Sequence, residues 1–108
     1  MSEPKNDWRS DLKIGVLKTP YRHFTLIAEG EIVDPSKWEE ALQTGSAVMS
    51  MKVWATTEEE AFDMIEVIGE QVGFDVTGRV ELYNTEPEEP PRQNPHGYDI
   101  GFESYVED

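Results

Sequence analysis

His23 and His96 are the two imidazoles of this chain, and it has no cysteine. A proton-transfer centre working near neutral pH therefore has to be built on one of those rings. His96 has the richer surroundings, because Tyr98 and Asp99 follow it in the same turn-bounded stretch. A neighbouring strand would bring Tyr83 or Glu81 alongside. Tyr83, His96, Tyr98 and Asp99 accordingly define one candidate pocket, suited to a small molecule at the edge of a sheet. The plainer reading of the same residues is that Asn94-Pro95-His96-Gly97 is turn chemistry and that Tyr98 packs at the sheet margin.

Other chemistries lack their residues. There is no G-x-S-x-G elbow for a serine nucleophile and no thiol to replace it. Neither G-x-x-x-x-G-K-[ST] nor G-x-G-x-x-G occurs, and the eight glycines are scattered at turns, so no phosphate cradle is expected. The two histidines are far apart and share no i, i+4 helix face, which argues against zinc. No D-x-[DN]-x-[DN]-G loop is present for calcium; the Glu58–Glu60 run attracts cations without caging one. We therefore expect no catalytic residue, no metal and no cofactor.

Charge restricts the partners more sharply than any motif. The chain carries 23 acidic against 9 basic residues, a formal charge of −14. The first 22 residues hold five basic and three acidic side chains, whereas the remainder holds four basic against twenty acidic, a balance of −16. A compact body of this sign repels phosphate backbones and anionic lipid and attracts cationic surfaces. Direct nucleic-acid and membrane binding are not expected; a basic protein is. Proteomes adapted to high salt are acidic throughout and are the general alternative source of such a charge. The opening MSEPKNDWRSDLKIGVL has no signal-type apolar run, and no stretch approaches the roughly 20 apolar residues of a membrane span. A cytoplasmic protein is the expectation.

Two further features bear on binding. Pro87-Glu88-Glu89-Pro90-Pro91-Arg92 fits P-x-x-P-x-R, the polyproline pattern read by SH3-type grooves, although its two glutamates oppose a generally acidic groove. Trp54 lies off the Met49/Met51 parity, so it is either an exposed interface anchor or covered by a helix near Trp38; the second is favoured.

The elements that would carry these residues follow from periodicity. Residues 1–12 mix charge and proline without a period and read as a flexible N-terminal arm, with 13–108 forming a single domain. Lys13–Lys18 reads as a short strand or an extended lead-in. His23–Val33 alternates, with Phe24, Leu26, Ala28 and Ile32 on one face and a bulge expected at Gly30. Asp34 or Ser36 caps a short helix around Trp38, Ala41 and Leu42, with Glu39 as capping partner if Ser36 is the cap. Ser46–Ala55 alternates again.

Thr56-Thr57 before Glu58-Glu59-Glu60 starts a long helix whose stripe is Ala61, Met64, Ile65, Ile68 and Val72, closed by Gly73. Glu59, Asp63, Glu66 and Glu70 fall opposite that stripe as an acidic ridge. Thr77–Asn84 is a third strand. Residues 86–95, with four prolines, form an extended loop. A last strand spans Tyr98–Val106, with Tyr98, Ile100 and Phe102 on one face.

The expected fold is α+β: a mainly antiparallel four-stranded sheet in the order β-β-α-β-β, with a short helix inserted in the first hairpin and one long amphipathic helix packed on the sheet. The expected function is a non-catalytic acidic interaction domain that binds and inhibits a basic protein, in the manner of an immunity protein, an antitoxin or a nucleic-acid mimic. Its contact residues are Glu59, Asp63, Glu66 and Glu70, flanked by Trp54, Glu88 and Glu89. The Tyr83/His96/Tyr98/Asp99 pocket is the alternative, and a homo-oligomer formed through a sheet edge is a third possibility.

Overall fold

The computed structural model describes residues 8–38 and 43–104. The elements are helix α1 (Trp8–Lys13), strand β1 (Arg22–Ile32), one 3-10 turn (Pro35–Lys37), strand β2 (Gly45–Ala55), helix α2 (Glu58–Gln71), strand β3 (Phe74–Asn84) and strand β4 (His96–Ser104). The fold is α+β. Its four strands form one sheet in the order β3-β1-β2-β4, and every pairing is antiparallel. The crossing from β2 through α2 to β3 does not join neighbouring strands, because β1 lies between them. Residues 1–7 of the arm, the capping partner Glu39 with Ala41 and Leu42, and the last strand's continuation to Val106 lie outside the described residues.

Period-two patterning puts Phe24, Leu26 and Ala28 of β1 and Ala47, Met49, Met51 and Val53 of β2 on one face, all completely buried. Helix α2 covers that face with Ala61 and Ile65, and with Met64, Ile68 and Val72 partly buried beside them. Each large side chain removed from water there contributes about 1.5–3 kcal/mol. The N-terminus of α2 is fixed locally. Thr57 Oγ1 accepts from the Glu60 amide at 3.0 Å, and Glu60 Oε1 accepts from the Thr56 amide at 2.6 Å. Gly73, at φ +86°, closes the helix, and its carbonyl accepts from the amides of Val33 and Asp34. Of the two caps considered for the Pro35 turn, Asp34 is used: its Oδ1 accepts from the Ser36 amide at 3.2 Å and from the Ser36 hydroxyl at 2.6 Å.

Three expectations are corrected. The end of the expected arm is helical over Trp8–Lys13, so the 13–18 stretch begins at a helix end and turns instead of forming a strand. A helix this short is marginal alone. Tyr98 does not share a face with Ile100 and Phe102. The β2–β4 register shifts between Ser50 and Lys52, and Asp99, at φ 55°, is the extra residue. That bulge turns Tyr98 away from α2. Trp54 is buried, as favoured, but its indole N–H meets the Glu89 carbonyl of the loop before β4 rather than anything at Trp38. Trp38 instead packs edge-on against Phe102, with ring centroids 5.7 Å apart.

A register shift also falls between Ala28 and Gly30 in the β1–β3 pairing, where the sequence places a bulge. The missing side chain of Gly30 is what admits Phe74: a Cβ there would lie 2.7 Å from the Phe74 ring and 2.1 Å from the Asp75 carbonyl. Gly30→Ala should cost about 2–3 kcal/mol in urea unfolding. Gly101→Ala, whose Cβ would meet only the Ser50 hydroxyl at 3.5 Å, should stay within about 0.5 kcal/mol of the parent.

Candidate functional site

The two faces of the sheet offer different chemistry. On the α2 side, the helix's outer surface carries Glu59, Asp63, Glu66 and Glu70, all exposed. Glu66 and Glu70 border a groove of about 280 Å³ that is completed by Asp75 and floored by Val67 and Val76. Among the described residues no ion pair reaches any of these carboxylates. Three of the four cations beyond His23 are committed elsewhere: Lys52 to Asp99 and Glu88, Arg79 to Glu81, and Arg92 to Glu89. The groove is therefore a cluster of unneutralised carboxylates around an apolar floor, which suits an aliphatic stem ending in a cation.

The opposite face is crossed by the proline-rich loop between β3 and β4. Its docking point is the Tyr98 hydroxyl, which accepts from the Glu88 amide at 2.9 Å and the Glu89 amide at 3.2 Å. With both lone pairs used, the hydroxyl proton goes to His23 Nε2, 2.7 Å away. This assigns His23 its tautomer: Nδ1–H donates to the Thr85 carbonyl at 3.0 Å. Trp54 packs edge-on to His23, ring centroids 5.0 Å apart, and its indole N–H donates to the Glu89 carbonyl at 2.9 Å. The P-x-x-P-x-R segment has thus spent its central backbone groups on its own sheet, which is not how a free polyproline ligand presents itself.

The residues of the sequence-derived pocket separate. His96 and Tyr98 are neighbours, with ring centroids 5.7 Å apart. Tyr83 sits on the opposite edge strand, where its hydroxyl donates to Glu81, and Asp99 binds Lys52. Neither ring nitrogen of His96 finds a hydrogen-bond partner among the described residues. The expected contact set divides as well. Trp54, Glu88 and Glu89 lie on the face away from α2, so they cannot flank its acidic ridge. His23 was not singled out from sequence as a site residue. Its position at the head of an alternating strand, on the parity facing away from Phe24, was the available signal.

Burial pushes His23 below the ordinary histidine value of 6.5 by more than its hydrogen bond to Thr85 raises it; Lys52 lowers it further, while Glu88 and Glu86 oppose. His96 is lowered for the same first reason, aided by Arg92. The unfolded chain then binds more protons than the native one between the depressed folded values and 6.5. This stability is complete above 6.5 and is lost as the pH falls toward the folded values. The urea midpoint should fall between pH 7 and about pH 5.5, and the double variant His23→Gln, His96→Gln should flatten that dependence. Tyr98→Phe should cost about 2 kcal/mol and speed hydrogen exchange at the Glu88 and Glu89 amides, since both lose their acceptor.

No protein family, no curated protein and no solved structure matches this chain.

Proposed function

We propose that the protein is a non-catalytic binding module whose working surface is the outer face of α2 with the groove between α2 and β3, and that its partner is a basic protein. The observation that carries this reading is the convergence of Glu66, Glu70 and Asp75 around Val67 and Val76, with no ion pair among the described residues. A partner's arginine or lysine would lay its methylenes on the two valines and its charge among the carboxylates. Glu59 and Asp63 continue the same sign along the helix, so an approaching cationic surface is steered along its length. Inhibition of such a partner, as by an immunity protein or antitoxin in the cytoplasm, follows if the groove takes a side chain that the partner needs for its own nucleic-acid contacts.

Register shifts in both edge-strand pairings interrupt regular pairing with a second sheet, which favours a binding module over an oligomer built by strand addition. His23 has both nitrogens committed to internal bonds, which favours a non-catalytic role for that ring.

The test uses a matched pair of variants with equal charge change. A short oligo-arginine peptide should bind Glu66→Gln, Glu70→Gln about tenfold more weakly than the parent at low salt. Glu29→Gln, Glu103→Gln, on the other face, should fall much less. Equal losses in the two double variants would show diffuse attraction to the whole body and would remove the groove as the contact.

A further inference from the structure

The mouth between α1 and the ends of the strands reverses the sign of the rest of the molecule. A pocket of about 420 Å³ opens there, and its rim holds Arg9, Lys13 and Arg22, three of the nine basic residues of a chain with 23 acidic ones. Glu86 is the carboxylate on the same lining, so the rim keeps a positive excess. Among the described residues none of the three cations forms an ion pair. They are placed by other means. Arg9 Nε–H donates to the Pro87 carbonyl at 3.3 Å, and the guanidinium lies 4.6 Å from the Trp8 ring centroid. The Arg22 guanidinium lies 5.1 Å from the ring of Phe24. In so acidic a chain, three positive side chains left without carboxylates around one cavity require a reason.

The interior supplies the other half of the recognition. Leu12, Pro87, the Tyr21 ring and the edge of Trp54 make apolar walls. The polar atoms of those walls are already used: the Tyr21 hydroxyl donates to the Gln93 carbonyl at 2.8 Å, the Trp54 indole N–H to Glu89, and both His23 nitrogens are bonded. What remains for a ligand is flat apolar surface, the cationic N–H groups of the rim, the Asn84 side chain and the Glu86 carboxylate, and the volume suits a small molecule. We propose that this pocket binds a flat organic acid, its ring against Leu12 and Trp54 and its anionic group held by Arg9, with Lys13 and Arg22 adding charge at the entrance. Guanidinium forks match carboxylate and phosphate oxygens alike. The pocket opens beside α1 at the strand ends and shares no lining residue with the groove between α2 and β3, so either reading can fail without the other.

The probes are naphthoate, naphthyl phosphate and the uncharged naphthamide, titrated into the full chain and followed by the Trp54 indole N–H and the backbone amides in NMR spectra. At least one acid should give saturable shifts at Trp54 and His23, with naphthamide about tenfold weaker or more. The ratio of carboxylate to phosphate affinity names the anionic group. Arg9→Gln, Arg22→Gln should abolish the preference for the acid while leaving naphthamide binding unchanged and the amide spectrum dispersed. A Lys13→Gln variant, remote from the loop contact of Arg9, should weaken the acid alone. Equal affinity for naphthoate and naphthamide, an unaltered acid preference in the double variant, or no saturable shift with either acid would overturn the proposal.

Discussion

The Tyr98 hydroxyl is the point on which the upper half of the structure is hung. β3 and β4 follow each other in the chain but occupy opposite edges of the sheet, so residues 85–95 must cross the ends of β1 and β2. A crossing segment pressed against a sheet carries backbone donors that cost free energy if left unpaired. Proline reduces that demand, since Pro87, Pro90, Pro91 and Pro95 have no N–H to satisfy. The amides of Glu88 and Glu89, which face the sheet, both end on one phenol, and that phenol is anchored in turn on His23. The loop is therefore a strap whose sheet-facing amides share one acceptor, while its carbonyls at Thr85, Pro87, Glu89 and Gln93 accept from His23, Arg9, Trp54 and Tyr21.

That dock exists because of a defect in the strand that bears it. The extra residue Asp99 inverts the alternation of β4, sending Tyr98 to the face opposite Ile100 and Phe102. Lys52, opposite Tyr98 in the ladder, binds Asp99 and also approaches Glu88 of the loop at 3.9 Å. One cation thus ties the bulge to the strap. Desolvation by the strap keeps His23 neutral, which is the protonation state in which its Nε2 can accept from Tyr98. Bulge, strap and imidazole hold one another in place.

The same arrangement sorts the charge. Three of the four basic residues beyond His23 are drawn into pairs on the loop and the open face: Lys52, Arg79 and Arg92. The outer surface of α2 is left with carboxylates that meet no cation among the described residues. At the other end, Arg9, Lys13 and Arg22 line the pocket mouth and form no ion pair among the described residues. An acidic composition therefore resolves into an anionic groove beside α2 and a pocket with a cationic rim at the strand ends. Local field, rather than net charge, determines what each surface attracts.

Alternation and capping signals were sufficient to read β1, β2, α2 and the buried set, from Phe24 to Ile65, because period two and period 3.6 express which side of each element leaves water. The exposed ridge on α2 was legible for the same reason. Strand order was not, since nothing in the local pattern states which edge β3 will join. Without that order the crossing loop, the cover over Trp54 and the distance between Tyr83 and Tyr98 had no readable form. The bulge at Asp99 was hidden as well, because a single inserted residue leaves composition unchanged while reversing every side chain beyond it. Amino-acid order alone thus settled β1, β2 and α2, their inward faces and the overall sign of the charge. Packing decided which strands became neighbours, and with that which charges found partners and which were left facing solvent.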